Sequence, residues 1–218
     1  MSFLNPQDFI ITRKRKLYKF ALFNNSSICF EFNDWNPERT EVDNLEIGAG
    51  TGLFSEALAF KNPNKKFVAI DVKADRLVKG AQQAESDQLR NIRFLRARAD
   101  QLLEAFAPHS IKYIWITFPD PYPKKRNAGR RLTHPTFLKI YKDLLREDGA
   151  LYFKTDAKEL FDWSLEQMVA EGWRIQRLSF DLHESDLNEN YKVMTTYERR
   201  FVSEGLKINF VKALPPKN

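Results

Sequence analysis

Acidic side chains accompany a glycine-rich turn in the first half of the sequence. Residues 45–52 read Leu-Glu-Ile-Gly-Ala-Gly-Thr-Gly and stand between a strand-like run and a helix-like run. Glycines such as Gly48 and Gly50 permit positive φ angles and let a ligand approach the backbone closely. The dinucleotide fingerprint would place another glycine where Leu53 stands, and no Gly-Lys-Ser/Thr sequence follows as in a P-loop. The turn alone could also be a simple strand–helix connection.

Two further acids stand where a nucleoside would meet them. Asp71 ends the next strand-like run, where a carboxylate can accept hydrogen bonds from ribose hydroxyls. Asp100 follows the third run and could reach an adenine amino group, while Glu46 adds a carboxylate beside the turn. Little in this set could hold a pyrophosphate. The residues therefore favour a cationic nucleoside without phosphate, such as S-adenosylmethionine, although Asp71 or Asp100 taken singly would more often be a helix cap.

A proline-rich loop carries the next acid. Residues 118–131 read Phe-Pro-Asp-Pro-Tyr-Pro-Lys-Lys-Arg-Asn-Ala-Gly-Arg-Arg. The prolines restrict the backbone and hold Asp120, which suits contact with a nucleobase or the cofactor. Tyr122 could stack on a base. The basic side chains suit the phosphates of a nucleic acid; the set expected to contact an RNA backbone is Lys125, Arg126, Arg130 and Arg131. The alternative is a charged surface loop.

The segments that position these residues alternate between strand and helix patterns. Strands are predicted at residues 42–47, 66–70, 92–97, 111–118, 149–154, 173–180 and 197–202. Helices are predicted at residues 54–60, 74–85, 101–106, 133–145 and 157–170, with Thr133 as an N-cap. This alternation predicts a doubly wound α/β fold, in which a mainly parallel, seven-stranded Rossmann-like sheet carries helices on both faces. Ligands of such sheets bind at the carboxyl ends of the strands, where every motif above falls.

Length and charge limit the domain organisation. The chain has 218 residues, of which 43% are hydrophobic, so one buried core is expected. Residues 41–218 should form a single globular domain, and residues 1–40 an N-terminal basic arm or short helix. A net charge of +6 is weak by itself, but basic residues cluster in the arm as well as after Asp120. The arm cluster is Arg13, Lys14, Arg15, Lys16 and Lys19. Such clusters attract phosphate backbones, unless they are only a solvated surface.

Several classes of protein are disfavoured by composition. Cys29 is the single cysteine, so no internal disulfide can form, and a cytoplasmic location is expected. No apolar run approaches the roughly 20 residues that a membrane helix needs. Three histidines and one cysteine do not favour a metal site. His134 and His183 are expected to be structural, and Trp115, Trp163 and Trp173 to lie in the core.

With these motifs the sequence resembles the bacterial tRNA (guanine-N7-)-methyltransferases, which are class I S-adenosylmethionine-dependent enzymes. The resemblance rests on residues 46–50, on the Phe-Pro-Asp-Pro loop with its basic residues, on Thr155-Asp156, and on Thr-Thr-Tyr-Glu at residues 195–198. These motifs span most of the chain. The sequence departs from the family at Tyr122, where tryptophan is usual, at Asn127, where histidine is common, and at Asp71, where many members carry glutamate.

The resemblance implies methyl transfer from S-adenosylmethionine to N7 of a guanosine in tRNA, namely guanosine 46 of the variable loop. It implies Asp120 at the reaction centre. Cofactor contacts are then expected from Glu46, Gly48, Gly50, Asp71, Asp100 and Asp120. Contacts with the substrate tRNA and its guanine are implied for Lys124, Asp156, Thr195, Thr196, Tyr197 and Glu198. The sequence leaves open whether the chain is a monomer or a homodimer.

The chemistry of guanine N7 defines what such a site must do. N7 carries an in-plane lone pair and no proton, so methylation by a sulfonium needs no general base. The site must hold N7 in line with the methyl–sulfur bond and stabilise the positive charge that moves onto the ring. Our hypothesis is that Asp120 orients cofactor and base, while Asp156 and Glu198 accept from guanine N1–H and its amine. The alternatives are an N-cap for Asp156 and an ion pair with Arg199 or Arg200 for Glu198.

Other functions remain compatible with parts of the sequence. A methyltransferase for small molecules or proteins would share the glycine turn but would not need the basic loop. A nicotinamide oxidoreductase is disfavoured by Leu53 and by the lack of a residue set for hydride transfer. A non-enzymatic RNA-binding module would bind tRNA without binding S-adenosylmethionine.

Overall fold

The strand–helix alternation forms an open sheet with helices on both faces. The computed structural model describes residues 14–36, 42–194 and 196–217. The strands are β1 (Cys29–Glu31), β2 (Val42–Ile47), β3 (Phe67–Asp71), β4 (Ile92–Arg96), β5 (Ile111–Thr117), β6 (Leu145–Thr155), β7 (Arg174–Ser179) and β8 (Asn209–Leu214). They lie side by side in the order β1-β4-β3-β2-β5-β6-β8-β7.

The helices cover the sheet as a doubly wound fold requires. They are α1 (Lys14–Asn25), α2 (Leu53–Lys61), α3 (Ala74–Ser86), α4 (Leu102–Ala105), α5 (Pro135–Leu144), α6 (Lys158–Ala170) and α7 (Thr196–Ser203). Buried side chains of α4, α5 and α6 pack into one apolar cluster with the sheet, and those of α1, α2 and α3 into another. Both faces of the sheet are therefore buried, which confirms the predicted fold class.

The sheet has one more strand than expected. Neighbouring strands from β1 to β6 pair in parallel, whereas β8 runs antiparallel to both β6 and β7. The structure gives eight described strands instead of seven. Neither β1 nor β8 was predicted from the sequence. The predicted boundaries of the other strands agree within a few residues, except that β6 begins earlier, at Leu145.

The strand predicted at residues 197–202 is wrong, because this segment lies within helix α7. Its aromatic and β-branched residues are typical of a strand. The side chains that turn inwards are nevertheless spaced as on a helix: Glu198 is buried, and Phe201 and Val202 are partly buried. Arg199 and Arg200 between them are exposed. The segment forms a helix because its inward-facing side chains are buried at helical spacing, and this outweighs the weak strand preference of its residues.

Part of the expected N-terminal arm packs against the domain. Phe23 of α1 is fully buried in the cluster that contains α3, and β1 pairs with β4. The Trp35 indole donates a hydrogen bond of 2.8 Å to the Ala105 carbonyl. Arg13 and the side chains of residues 14–16 lie outside the described part of the chain. A domain boundary near residue 40 stays a prediction.

The start of α5 corrects one predicted cap. The N-cap is His134, whose Nδ1 accepts from the Thr136 backbone N–H at 3.3 Å, and Pro135 takes the first helical position. Thr133 is buried, and its hydroxyl lies 2.7 Å from the Ser164 hydroxyl on α6. Trp115 and Trp173 are buried in the core as expected. Trp163 is only partly buried.

Candidate active site

A cavity of about 540 Å³ opens at the carboxyl ends of the central strands. This volume is typical of a site for a small organic ligand. The lining comes from the ends of β2, β3 and β5, from the loops that follow β2 to β6, from the starts of α2 and α3, and from Phe201 of α7. It includes the predicted residues Glu46, Gly48, Gly50, Asp71, Asp120 and Asp156. Residues that are far apart in the sequence thus meet around one cavity, as the strand-end placement predicted.

The glycine turn after β2 has the backbone that its sequence predicts. Gly48, Gly50 and Gly52 have φ angles of +72°, +58° and +70°, which residues other than glycine rarely adopt. A Cβ atom on Gly48 would lie 2.9 Å from Leu132 Cδ1, and one on Gly52 would lie 2.6 Å from the Phe94 ring. A Cβ on Gly50 would meet nothing within 4 Å. The turn is therefore packed tightly against its neighbours at Gly48 and Gly52. It leaves open space at Gly50, where a ligand could approach.

Asp71 holds the glycine turn and faces the cavity. Its Oδ2 accepts a hydrogen bond of 2.8 Å from the Gly50 backbone N–H. Its Oδ1 accepts one of 2.9 Å from the Lys73 backbone N–H. Partial burial raises the pKa of Asp71 above its ordinary value, although the two hydrogen bonds act to lower it. A carboxylate oxygen has two lone pairs, so each oxygen could also accept from a ligand hydroxyl.

Glu46 lies at the floor of the cavity, almost completely buried. Its Oε2 accepts from the Ser55 hydroxyl at 2.7 Å, and its Oε1 accepts from the Thr117 hydroxyl at 2.6 Å. Burial raises the pKa of Glu46 to about 7, because a carboxylate loses its hydration there. A cationic ligand in the cavity would favour the ionised form. Ser55 and Thr117 carry no sequence signal that marks them as partners of Glu46.

Asp100 is not among the residues that line the cavity. Its exposed carboxylate pairs with Arg98 through contacts of 2.9 and 3.1 Å to Nε and Nη2. This guanidinium holds the pKa of Asp100 below its ordinary value. The neighbouring Ala97 and Ala99 do line the cavity. The structure therefore brings the segment to the site but not the carboxylate itself, and contact with an adenine amino group stays a prediction.

The loop after β5 combines an exposed acid with an unusual backbone. Asp120 lines the cavity and is exposed. Phe118 and Tyr122, on either side of it, have φ angles of +49° and +42° although neither is glycine. Such conformations cost about 1–3 kcal/mol each and persist only where surrounding contacts enforce them. One of these contacts is the Phe118 N–H, which donates to the Lys154 carbonyl at 2.9 Å.

The basic residues of this loop divide into two groups. Arg131 is buried: its guanidinium lies 4.3 Å from the Trp163 ring centroid and donates to the Tyr122 carbonyl at 3.0 Å. Its Nε is buried without a hydrogen-bond partner. This placement speaks against the phosphate contact expected for Arg131, because little of the side chain is exposed to an RNA. Lys125, Arg126 and Arg130 are exposed and keep that expectation. Lys124, for which a contact with the substrate tRNA is implied, is exposed as well.

Arg130 is the basic residue of this loop that reaches the cavity. It lines the cavity together with Tyr122, and its guanidinium lies 5.1 Å from the Tyr122 ring centroid. Lys124 is exposed but is not among the lining residues. Arg76 and Lys73 add positive charge on the opposite side, after β3, and neither was predicted from the sequence. The rim of an acid-lined cavity is therefore basic.

Asp156 lies in the cavity lining, half-buried after β6. The alternative role as a helix cap is not seen, because the N-cap of α6 is Ala157 and no side chain caps it. Instead the Thr155 hydroxyl accepts from the Ala157 N–H at 3.1 Å. The Asp156 carboxylate is thus available to a ligand in the cavity.

Glu198 is not among the residues that line the cavity and lies in a buried cluster of ionisable side chains. Its carboxylate contacts Lys154 Nζ at 2.6 and 2.8 Å and His183 Nε2 at 3.0 Å. This placement speaks against direct contact with a guanine. Arg199 and Arg200 were the alternative partners expected for Glu198. Arg200 pairs with Glu204 at 2.8 Å instead, and Arg199 is exposed. Of the remaining motif, Thr195 lies outside the described residues, as do the side chains of Thr196 and Tyr197.

Phe201 is a lining residue that sequence reasoning missed. Its ring centroid lies 5.7 Å from that of Phe118. Helical spacing from Glu198 would have signalled its position if the segment had been identified as a helix.

Within the described ranges, no group of three or more metal-binding side chains was found. None of the described helices is both long enough and apolar enough to span a bilayer.

Comparison with known proteins gives a family for the chain. Residues 40–211 match the model of a family described as "Putative methyltransferase". The chain is 42% identical over 169 residues to the tRNA (guanine-N(7)-)-methyltransferase of Brevibacillus brevis, covering 78% of each protein. It is 40% identical over 173 residues to the protein of the same name from Lachnoclostridium phytofermentans, covering 79% of this chain and 80% of that relative.

Solved structures share the fold at low sequence identity. The 16S rRNA methyltransferase KamB superposes with a TM-score of 0.61 and 16% identity, over 82% of this chain and 90% of that chain. The 16S rRNA (adenine(1408)-N(1))-methyltransferase from Catenulisporales acidiphilia gives a TM-score of 0.58 and 11% identity, over 100% and 96% of the two chains. These similarities support the Rossmann-like methyltransferase fold alone.

Proposed function

Because the chain belongs to the family of tRNA (guanine-N(7)-)-methyltransferases, we propose that it transfers a methyl group from S-adenosylmethionine to N7 of a guanosine in tRNA. We propose further that this is guanosine 46 of the variable loop. One observation carries the proposal beyond family membership. The acid-lined cavity at the strand ends is bordered by the exposed basic residues of the Asp120 loop. This arrangement suits a cationic cofactor within reach of a polyanionic substrate.

The cavity fits the cofactor in shape and charge. The open space at Gly50 leaves room for a ligand to lie against the backbone of the glycine turn. Glu46 and Asp71 supply negative charge and hydrogen-bond acceptors at the end of the cavity beside this turn. Asp100 would join them only after it releases Arg98. When bound, S-adenosylmethionine supplies an electrophilic methyl group on a positively charged sulfur.

The residues around the cavity position the base rather than move protons. Guanine N7 has no proton to remove, so rate enhancement depends on alignment and on charge stabilisation. Asp120, held between two residues with positive φ, orients the cofactor and the incoming base. Asp156 accepts from guanine N1–H, a donor that adenine lacks, and its negative charge stabilises the cationic product ring. Tyr122 offers an aromatic face for stacking.

The exposed basic residues supply affinity for the tRNA backbone. Lys124, Lys125, Arg126 and Arg130 stand on the loop that carries Asp120. Each contact with a phosphate releases counterions, which makes binding depend on salt. This loop would therefore place the backbone beside the guanosine that enters the cavity.

The direct test is to locate the modified nucleotide. Unmodified tRNA is incubated with the protein and S-adenosylmethionine, and borohydride–aniline treatment then cleaves the RNA at N7-methylguanosine. Cleavage at guanosine 46, and its loss when that nucleotide is replaced by adenosine, is the expected result. Cleavage elsewhere would leave the activity intact but refute the position. Methylation of small metabolites with no methylation of tRNA would refute the proposed function.

A further inference from the structure

A buried ion pair ties helix α7 to the strand that precedes Asp156. Lys154 on β6 and Glu198 on α7 both have fully buried side chains. Lys154 Nζ contacts both carboxylate oxygens, at 2.6 and 2.8 Å, and also donates to the Val193 carbonyl at 3.1 Å. His183 Nε2 lies 3.0 Å from the same carboxylate. Burial lowers the pKa of Lys154, while the negative charges of Glu198 and Glu46 counteract this effect.

The pair lies one layer beneath the cavity. Lys154 Nζ is 5.6 Å from the ring centroid of Phe54, a residue that lines the cavity. Phe201 follows Glu198 by one helical turn on α7, and it lines the cavity beside Phe118. The backbone of Phe118 is itself bonded to the Lys154 carbonyl. Lys154 therefore contacts the three elements that carry these aromatic rings: α2, α7 and the loop after β5.

We propose that Glu198 is a positioning residue, and that its ion pair with Lys154 fixes α7 so that Phe201 closes the cofactor cavity. The inference rests on the proposed function and adds a role for both residues. Glu198 does not contact the guanine; it acts through α7. Lys154, which no motif marked, is its required partner.

Physical chemistry distinguishes this role from base recognition. Removing one member of a buried ion pair leaves an uncompensated charge, which is strongly destabilising. Removing both members leaves neutral side chains that can still pack, so much of the loss should be recovered. A carboxylate that reads guanine would behave differently. Its loss would impair the reaction with tRNA whatever residue stands at position 154, and it would not alter cofactor binding in the absence of tRNA.

The experiment compares Lys154→Met, Glu198→Gln and the double variant with the wild-type protein. Thermal unfolding and the affinity for S-adenosylhomocysteine are measured without tRNA, and kcat and KM for tRNA are then measured with S-adenosylmethionine. Each single variant should lower Tm by roughly 6–20 °C. Each should also weaken S-adenosylhomocysteine binding by about tenfold or more, with recovery to within about threefold in the double variant. Glu204→Gln is the matched control, because Glu204 is exposed and pairs with Arg200.

Three outcomes would overturn the inference. The first is a Glu198→Gln variant with wild-type Tm and cofactor affinity that loses activity on tRNA alone. The second is a double variant that binds S-adenosylhomocysteine no better than Lys154→Met does. The third concerns the case in which Lys154→Met does not fold: the inference is then overturned if the double variant fails to fold as well. A wild-type protein that does not bind S-adenosylhomocysteine would instead refute the proposed function.

Discussion

Replacing Arg131 by methionine tests how the Asp120 loop is held. Arg131 is buried under the loop, stacks on Trp163 and donates to the Tyr122 carbonyl. Methionine has a similar length and can fill the same space, but it has neither the charge nor the hydrogen-bond donors. The substitution therefore removes the support of a backbone that has positive φ at Tyr122.

The expected loss of stability follows from these contacts. A hydrogen bond from a charged donor contributes about 1.5–3 kcal/mol. A desolvated cation–π contact contributes about 2 kcal/mol. Relief from burying the unpartnered Nε offsets about 1–3 kcal/mol of this. The net expectation is a loss of about 2 kcal/mol, or a fall in Tm of about 4–8 °C for a chain of this length.

The expected loss of activity is larger than the loss of stability suggests. Without the bond to its carbonyl, Tyr122 can leave the positive-φ region, and Asp120 then moves with the loop. Misplacement of a reacting group by about 1 Å can cost about 100-fold in rate. We expect kcat on tRNA to fall by about 10- to 100-fold at temperatures well below Tm. Arg131→Lys should recover only part of this loss, because an ammonium lacks the planar fork of the guanidinium.

The assay combines thermal unfolding, kcat on tRNA and the salt dependence of tRNA binding. Arg174→Met serves as the control, because Arg174 is exposed on β7 and lies outside the cavity lining. If Arg131 instead contacts a phosphate, Tm will be unchanged and the slope of log Kd against log salt will become shallower by about one. That pair of results would refute the loop-support role.

Other substitutions give further expectations. Asp156→Ala should reduce kcat/KM on tRNA by about 100-fold or more while leaving S-adenosylhomocysteine affinity unchanged; equal activity would rule out base reading. Gly52→Ala should lower the free energy of unfolding by more than about 2 kcal/mol in denaturant titration, since the new Cβ would lie 2.6 Å from the Phe94 ring at a φ of +70°. Burial raises the pKa of Glu46 from 4.5 to about 7, so the folded chain binds that proton more tightly than the unfolded chain. Its stabilising contribution is full below pH 4.5 and is lost as pH rises through about 7. The Tm of Glu46→Gln should consequently rise relative to wild type over this range, and parallel Tm curves would contradict the raised pKa. Lys125→Ala should make the salt dependence of tRNA binding shallower by about one while Tm stays constant.

Local patterns in the sequence predicted the framework of the fold. Alternating runs of apolar residues predicted strands β2 to β7 and most of the helices, because each such run buries a face of its own. The strands β1 and β8 were missed, since each is recognisable only through the strand it pairs with. Helix α7 was misassigned for a related reason. Its short sequence has strand-like composition, and only burial of Glu198 and Phe201 at helical spacing decides its conformation.

The candidate site shows the same division. The glycine turn, the acid after β3 and the proline-flanked Asp120 are encoded by adjacent residues, because turn chemistry and strand ends depend on short-range sterics. The sequence alone therefore predicted where the cavity would lie and the acids that line it, but not that Lys73 and Arg76 would join the lining or that Asp100 would lie outside it. Only the tertiary structure pairs Glu46 with Ser55 and Thr117, Glu198 with Lys154, and Arg131 with Trp163. These pairings join residues brought together by packing, and burial changes the energy of a charge according to its surroundings.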